Sequence, residues 1–250
     1  GRGSGVVGYN VQVAVECEHH LIITHEVTNV GNDRGQLAPM AVAAKAVLGA
    51  DHLDVIADRG YFDSEQIKSC VEAGVAVTLP KPQTSGAKAA GRFGKQDFAY
   101  LPDRDAYRCP AGAILPFHYS PLENGLELRR YWSLADCTKC LIKSQCTPAR
   151  ERRITRWAHE HLVEEVQARL DANPEAMRVR RETVEHPFGT IKARMGATHF
   201  LMKRLPNVAA EMALHVLAYN LTRVMNILGR QELIAAIKAG DSDGFSRVAQ

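Results

Sequence analysis

The sequence predicts an α/β fold with a small cysteine-rich insertion, and three observations support that prediction. Residues 8–79 alternate between short apolar strands and capped helices, which is the order expected of an α/β layer. Residues 81–150 are rich in Gly, Pro, Lys and Cys and break the alternation. From residue 152 onward, the spacing of the apolar side chains predicts helices.

The first three elements are a hairpin and a helix. Residues 8–15 (GYNVQVAV) alternate apolar and polar side chains, and residues 21–27 (LIITHEV) form a second strand after a polar turn. Asp33 followed by Gln36 is a capping pair, so a helix is expected to begin there and to stop at Gly49.

The next elements place an acidic side chain at the end of a strand. Residues 52–57 predict a strand that ends at Asp58. The capping pair Asp63 and Gln66 then predicts a helix, and residues 75–79 predict another strand. Asp58 is a candidate site residue, because functional groups of open α/β sheets gather at the carboxyl ends of strands. Taken alone, an Asp that only caps its own turn is the commoner case.

Helices and a tail complete the chain. Leu162, Val166 and Leu170 fall on one face of a predicted helix, and Pro174 suits the first turn of the next one. A last amphipathic helix is expected over residues 208–228, and the polar tail after it is expected to fray. The expected divisions are residues 1–80, the first part of the core; 81–150, the insertion; 151–229, the helical remainder of the core; and 230–250, the tail.

Composition and charge exclude several classes of protein. Lys plus Arg is 31 and Asp plus Glu is 28, so the net charge of +3 excludes an acidic tail protein and a histone-like polycation, while a nucleic-acid partner is permitted. No apolar run reaches the ~18 residues of a membrane helix, and the start has no secretory signal. Gly3-x-Gly5-x-x-Gly8 matches a dinucleotide fingerprint, but it precedes a strand instead of following one, which argues against nucleotide binding.

Four of the six cysteines form a candidate metal site. Their pattern is Cys109, then Cys137-x2-Cys140-x5-Cys146, and a structural tetrahedral zinc requires four such thiolates. Without a secretory signal a reduced compartment is expected, so disulfides are the weaker explanation. Adventitious free thiols and an iron–sulfur cluster are the alternatives.

A charged helix near residue 185 carries the third group of candidates. Arg181, Glu185 and Lys192 share one face, beside an apolar stripe that includes Phe188. A Glu flanked by cations at these spacings can hold a metal ion while the cations meet phosphate. A solvated charged face is the plain alternative. Pro187 is expected to kink or restart the helix.

Short motifs lie along the chain in a fixed order. They occur at residues 8–15, 27–29, 32–33, 57–61, 109–112, 152–157, 184–189 with Lys192, and 214–220. Together they resemble the catalytic domain of bacterial insertion-sequence transposases of the DDE type. The resemblance covers residues 8 to about 228, and the motifs come at fitting distances.

The resemblance implies a ribonuclease-H-like mixed sheet flanked by helices, with a zinc-ribbon-like insertion before the catalytic helix. It also implies three metal-binding carboxylates, of which Asp58 matches the second. Glu185 matches the third, within a Tyr-x2-Arg-x3-Glu-x6-Lys pattern. Arg181 and Lys192 fit that pattern, whereas Arg178 stands where the family has Tyr.

The first carboxylate of the family belongs to the first strand. Residues 8–15 correspond to the second strand, so the first strand and its Asp are expected before residue 1. Without them, this fragment is expected to be inactive alone. Glu16 is the only acid at the end of residues 8–15, and a hairpin turn is a sufficient explanation for it.

The resemblance further implies the chemistry and the partners. Three carboxylates hold two Mg²⁺ or Mn²⁺ ions about 3.5–4 Å apart, for strand cleavage and strand transfer during transposition. Asp58 and Glu185 would be metal ligands, and Arg181 and Lys192 would bind phosphates. The partners would be DNA at the transposon ends and target and, on that DNA, a second copy of the chain. No membrane is involved, and the location would be the bacterial cytoplasm, at the nucleoid when DNA is bound. A basic stretch is expected to contact the DNA backbone: Arg152, Arg153 and Arg156.

Two other functions fit parts of the sequence. A truncated or domesticated relative would keep the fold and DNA binding but lose catalysis, and an Asp shortly upstream of residue 1 would favour the enzyme instead. A plain zinc-ribbon interaction module predicts no metal-dependent nuclease activity and no role for Asp58.

Overall fold

The computed structural model of the chain describes residues 8–82 and 86–248, with side chains up to residue 239. The chain forms two compact units. The first comprises the residues up to Lys81 together with those from Glu165 onward, and the second comprises Pro82–Glu164. Gly3 and Gly5 of the dinucleotide-like motif lie outside the described residues, and Gly8 lies two residues before the first strand.

The N-terminal part of the first unit follows the predicted order of strands and helices. Its elements are β1 (Asn10–Val15), β2 (Ile22–Thr28), α1 (Leu37–Leu48), β3 (Leu53–Ile56), α2 (Ser64–Glu72) and β4 (Val75–Thr78). Helix α2 begins at its predicted cap, since the Asp63 side chain accepts hydrogen bonds from the N–H groups of Glu65 and Gln66. Helix α1 begins later than predicted, with Gln36 as its N-cap, because the Asp33 carboxylate bonds elsewhere.

The strands of this unit form two separate pairs. Strands β1 and β2 are an antiparallel hairpin, and β3 and β4 are a parallel pair joined through α2. One mixed sheet was expected, but among the described strands no hydrogen bonds link β1 to β3. Each of these two strands therefore has one backbone edge without a strand partner in the described part of the chain.

The second unit is built around an antiparallel sheet. Its elements are α3 (Gly86–Ala89), β5 (Ala99–Leu101), β6 (Ala106–Arg108), β7 (Ile114–Tyr119), β8 (Leu122–Glu123), β9 (Leu126–Tyr131), α4 (Leu134–Thr138) and β10 (Ile154–Trp157). The strands are ordered β10-β9-β7-β6-β5, with β8 paired to β9. Its core consists of Phe98, Tyr107, Leu115, Tyr131 and Ile154.

The helix predicted from residue 152 is wrong for its first turn, because Ile154–Trp157 is strand β10. Its β-branched and aromatic residues suit a strand, and β9 supplies an antiparallel partner for it. The helical remainder comprises α5 (Glu160–Ala172), α6 (Ala176–Gly189), α7 (Leu205–Leu228) and α8 (Arg230–Val248). The tail is thus helical to Val248, although fraying was expected. None of the helices in the described part of the chain is long and apolar enough to cross a membrane.

Helix α7 confirms the predicted amphipathic helix and anchors the hairpin. Its buried face, including Val208, Met212 and Tyr219, packs with Ile22 and Val27 of β2. The Asn220 side chain accepts from the Ile22 N–H at 2.9 Å and donates to the Ile22 carbonyl at 2.8 Å. It therefore satisfies both backbone groups of a strand residue, as a neighbouring strand would.

Candidate active site

Asp58 lies two residues after the end of β3 and uses both carboxylate oxygens. Its Oδ1 accepts the Gly60 N–H at 2.7 Å and so caps the short 3₁₀ turn Arg59–Tyr61. Its Oδ2 accepts a hydrogen bond from Arg180 Nη2 of α6, also at 2.7 Å. Turn capping therefore explains only one oxygen, and the second is held by a cation from another element. The side chain is 41% exposed, so water and ions reach it.

A second carboxylate approaches the same turn. A Cβ placed on Gly60 would lie 2.9 Å from Asp58 Oδ1 and 3.4 Å from Asp33 Oδ2. Asp33 Oδ1 is fixed by hydrogen bonds from Asn10 Nδ2 and Gln12 Nε2, each at 2.7 Å. Two carboxylates therefore flank Gly60, and a side chain at that position would displace Asp58.

The Gln12 side chain connects the Asp33 carboxylate to the turn that carries Asp58. This side chain is 1% exposed, and its Oε1 accepts the Tyr61 hydroxyl while its Nε2 donates to Asp33. Burial and the nearby carboxylates of Asp33 and Asp58 raise the pKa of Tyr61 to about 12. The hydroxyl thus stays protonated as a donor, and the network ties β1 to the turn that carries Asp58.

A cavity of about 580 Å³ separates the open edges of β1 and β3, and we call it the strand slot. Every residue of β1 and every residue of β3 lines it. Successive side chains of a strand point to opposite faces, so a cavity lined by all of them faces the backbone edge. The other walls come from α1, α6 and the Asp58 turn.

Helix α6 carries Glu185 and packs against both β1 and β3. Its residues Arg180, Thr183, Val184 and Phe188 line the strand slot, whereas Glu185 is exposed and does not. With 100° between successive residues, Glu185 projects about 140° away from Arg180 around the helix and about 7.5 Å along it. The shared face predicted for Arg181, Glu185 and Lys192 is exposed.

Pro187 lies inside α6, which continues through it to Gly189 without the predicted restart and then becomes a π-helical turn at Thr190–Arg194. Proline lacks the N–H that would bond the carbonyl four residues earlier, and such wider turns are frequent at functional sites. The Lys192 ammonium lies 5.6 Å from the centroid of the Phe188 ring on this segment.

Glu16 serves the hairpin turn. Its carboxylate accepts the backbone N–H groups of Glu18, His19 and Leu21 at 2.8–3.0 Å. Burial alone would raise the pKa of Glu16, but these hydrogen bonds outweigh it and lower the pKa. The turn therefore accounts for Glu16 fully.

The four clustered cysteines line one cavity of about 460 Å³ in the second unit, which we call the thiol pocket. Cys109, Cys137, Cys140 and Cys146 are all free thiols. Burial raises the pKa of Cys146, and the other three thiols raise it further. Within residues 8–82 and 86–248, however, no three or more His, Cys, Asp or Glu side chains are arranged to hold a metal ion.

The three arginines of the basic stretch differ in burial: Arg156 is buried, Arg152 is half-buried and Arg153 is exposed. Arg156 is 6% exposed, and its guanidinium binds both carboxylate oxygens of Glu164. Burial lowers the pKa of Arg156, but the hydrogen bonds with Glu164 and Tyr107 outweigh it and raise the pKa. Arg153 is exposed and lies 4.9 Å over the Trp132 ring, and Arg152 is half-buried over Phe98. The guanidinium of Arg156 is committed to the fold. The Nε of Arg152 is buried beside the four clustered cysteines, and the Arg153 guanidinium pairs with Glu151.

Sequence reasoning missed Arg180, Asp33 as a site residue, and Gln12. Nothing in the sequence marked Gln12 as buried, because it occupies a polar position of the β1 alternation. Nothing in the sequence distinguished Arg180 from Arg181, because both belong to one basic run.

Part of the chain matches a known protein family. Residues 108–225, a little under half of the 250-residue chain, match the family model described as a transposase DDE domain. No curated protein and no solved structure matches the chain. The matched range includes Glu185, Lys192 and the four cysteines, whereas Asp58 precedes it. The match, together with the mixed α/β fold, supports a DDE-type transposase, a family whose members bind DNA and use divalent metal ions.

Proposed function

We propose that the chain is the catalytic part of a transposase that cleaves DNA strands and transfers them during transposition of an insertion sequence. The observation that carries this proposal is the position of Asp58. It stands at the carboxyl end of β3 and lines the strand slot. Helix α6, which bears Glu185, packs against the two strands on either side of that slot. The transposase match over residues 108–225 supports the same function independently, since Asp58 lies outside it.

Asp58 and Glu185 are the proposed metal-binding residues. Hard divalent cations prefer carboxylate oxygens, and both side chains are accessible to solvent. Glu185 lies outside the slot that Asp58 lines, so α6 would have to turn to bring the two carboxylates to one metal pair. When bound, two such ions activate the attacking oxygen and stabilise the leaving one. Three carboxylates are needed for the proposed metal pair, so a third is proposed to come from another segment.

That segment is the proposed first strand. A strand in the slot would pair with the open edges of β1 and β3 and join the two pairs into one mixed sheet. An acid at its end would lie at the same edge as Asp58. The slot thus supports the proposed ribonuclease-H-like sheet.

Hydrogen exchange tests the first strand. We compare residues 1–250 with a longer chain that carries the native sequence upstream. Amides of residues 10–15 and 53–56 that face the slot should exchange at least ten times more slowly in the longer chain, because ladder hydrogen bonds protect them. Amides of β9 in the second unit serve as the control. Equal exchange of the slot amides in both chains contradicts the proposed strand.

The chemistry requires the chain to hold DNA phosphates while the reaction proceeds. Water attacks the phosphorus at the element's end and expels the 3′-oxygen, which leaves as a free 3′-hydroxyl. That hydroxyl then attacks a phosphorus of the target strand and expels a second 3′-oxygen. Arg181 and Lys192 on the exposed face of α6 are the proposed phosphate-binding residues.

Arg152 and Arg153 are proposed to contact the DNA backbone. Reversing both to Glu should weaken binding to all sequences and reduce the salt slope by about two, since each phosphate contact releases counterions. Titration of DNA binding between low and moderate salt measures this. Arg104→Glu with Arg108→Glu, two exposed positions in the same unit, is the control for net charge. An unchanged slope in the first double variant, or an equal loss in the control, opposes the assignment.

The thiol pocket is proposed to hold one structural zinc ion. Its four cysteines provide the ligand number of a closed tetrahedral site, and binding would draw their sulfurs together. Reduced, purified protein should contain about one zinc ion per chain, and Cys137→Ser should release it. Metal analysis of the purified proteins measures the zinc content. Cys17→Ser, which changes an exposed free cysteine, is the control and should keep the zinc ion. Absence of both zinc and iron from the wild-type protein argues against any metal in the pocket.

A further inference from the structure

The pairing of Asp58 with Arg180 has a consequence for cation binding. Asp58 Oδ1 is occupied by the Gly60 N–H, which leaves Oδ2 as the oxygen that Arg180 binds at 2.7 Å. A cation ligated by Oδ2 would share that oxygen with the Arg180 guanidinium, and the two positive charges would repel each other. Arg180 therefore holds the part of Asp58 that a metal ion would use.

The charges around Gly60 make the binding of a cation to Asp58 sensitive to Arg180. Two carboxylates, Asp33 and Asp58, flank Gly60, and Arg180 is the cation bound to one of them. The Asp33 carboxylate is bound by neutral amides, so its charge is not compensated by its own hydrogen-bond partners. Removal of the guanidinium would leave two negative charges at the turn, and the attraction for a dication would increase.

The pair is also weak enough to exchange. The Arg180 side chain is 24% exposed and that of Asp58 is 41% exposed, so water screens their attraction. Ion pairs in contact with solvent contribute little to stability, and a divalent cation with hard oxygen ligands can displace one. Because both side chains line the strand slot, the displaced guanidinium would remain inside the site.

We propose that Arg180 and a divalent cation compete for Asp58, so that Arg180 occupies the metal position in the metal-free protein and moves away when Mg²⁺ or Mn²⁺ binds. This inference rests on the proposed function, in which Asp58 is a metal ligand. It assigns Arg180 a positioning role that is distinct from the phosphate binding proposed for its neighbour Arg181.

Titration of the whole chain with Mn²⁺, followed by the loss of the free-ion electron paramagnetic resonance signal, tests the competition. Arg180→Gln should lower the Mn²⁺ dissociation constant by about fivefold, and Arg180→Met, which keeps an unbranched stem, should do the same. Arg178→Gln removes the same charge from an exposed position on α6 and should leave the dissociation constant within about twofold of the wild-type value. In the double variant that combines Asp58→Asn with Arg180→Gln, this gain of about fivefold in Mn²⁺ affinity should disappear.

The possible failures are distinguishable. If Asp58→Asn weakens Mn²⁺ binding but Arg180→Gln and Arg180→Met leave it unchanged, the competition is refuted while the metal role of Asp58 stands. If Asp58→Asn changes nothing in either background, the metal role of Asp58 falls and the competition falls with it. An equal gain in Arg178→Gln would also refute the inference, since it would be an effect of net charge alone.

Discussion

Asp58→Asn and Glu185→Gln should each reduce metal-dependent nicking of transposon-end DNA by at least about 10³-fold in the chain that includes the proposed first strand. Both substitutions keep the size of the side chain and remove its negative charge. Asparagine can still accept the Gly60 hydrogen bond, so the turn after β3 should persist. The loss would therefore come from the metal site, and DNA binding should change by less than about threefold.

Controls for these variants are available on the same elements. Asp54→Asn makes the same change on β3 at a side chain that is 82% exposed, and Glu182→Gln makes it on α6 at a surface pair with Arg178. Both should nick DNA at the wild-type rate. Nicking that persists in Asp58→Asn or in Glu185→Gln would remove that residue from the proposed metal site.

Gln12→Leu should lower the free energy of unfolding of the first unit by about 2–4 kcal/mol. The leucine fits the volume, but the Tyr61 hydroxyl loses its acceptor and Asp33 loses one of its two amide donors. Both partners are partly buried, so water replaces these hydrogen bonds incompletely. The Asp58 turn should loosen as well, because Tyr61 belongs to it.

Urea unfolding followed by circular dichroism measures this change. Gln167→Leu is the matched control, because Gln167 lies on the exposed surface of α5 and its side chain bonds to the exposed Asp171. It should stay within about 0.5 kcal/mol of the wild-type protein. A Gln12→Leu variant as stable as this control would show that the buried network contributes nothing to the fold.

Residue alternation and helix-capping residues predicted a strand or helix correctly where that element depends on its own segment alone. The alternation of residues 8–15 gave β1, and the Asp63 cap gave α2. Residues 154–157 were placed in a helix because their strand conformation depends on β9, which is distant in sequence. The tail was expected to fray from its composition near the end, although residues 230–239 are mostly good helix formers.

The site was harder to predict than the elements, for a geometric reason. Asp58 could be found because strand ends are informative, but the partner of its second oxygen depends on the rotation of α6. A shift of one residue along a helix turns a side chain by 100°, so Arg180 and Arg181 face different surroundings. Asp33 similarly looked like a helix cap, whereas the polar side chains of β1 hold it beside Gly60.

The most direct test of the proposed active site is a crystal structure of the chain with its upstream strand, grown with Mn²⁺ and measured for anomalous scattering. We predict anomalous density within about 2.0–2.3 Å of carboxylate oxygens of both Asp58 and Glu185, with Arg180 moved away from Asp58. Mn²⁺ bound elsewhere, with the two carboxylates on opposite faces of the sheet, would contradict the account.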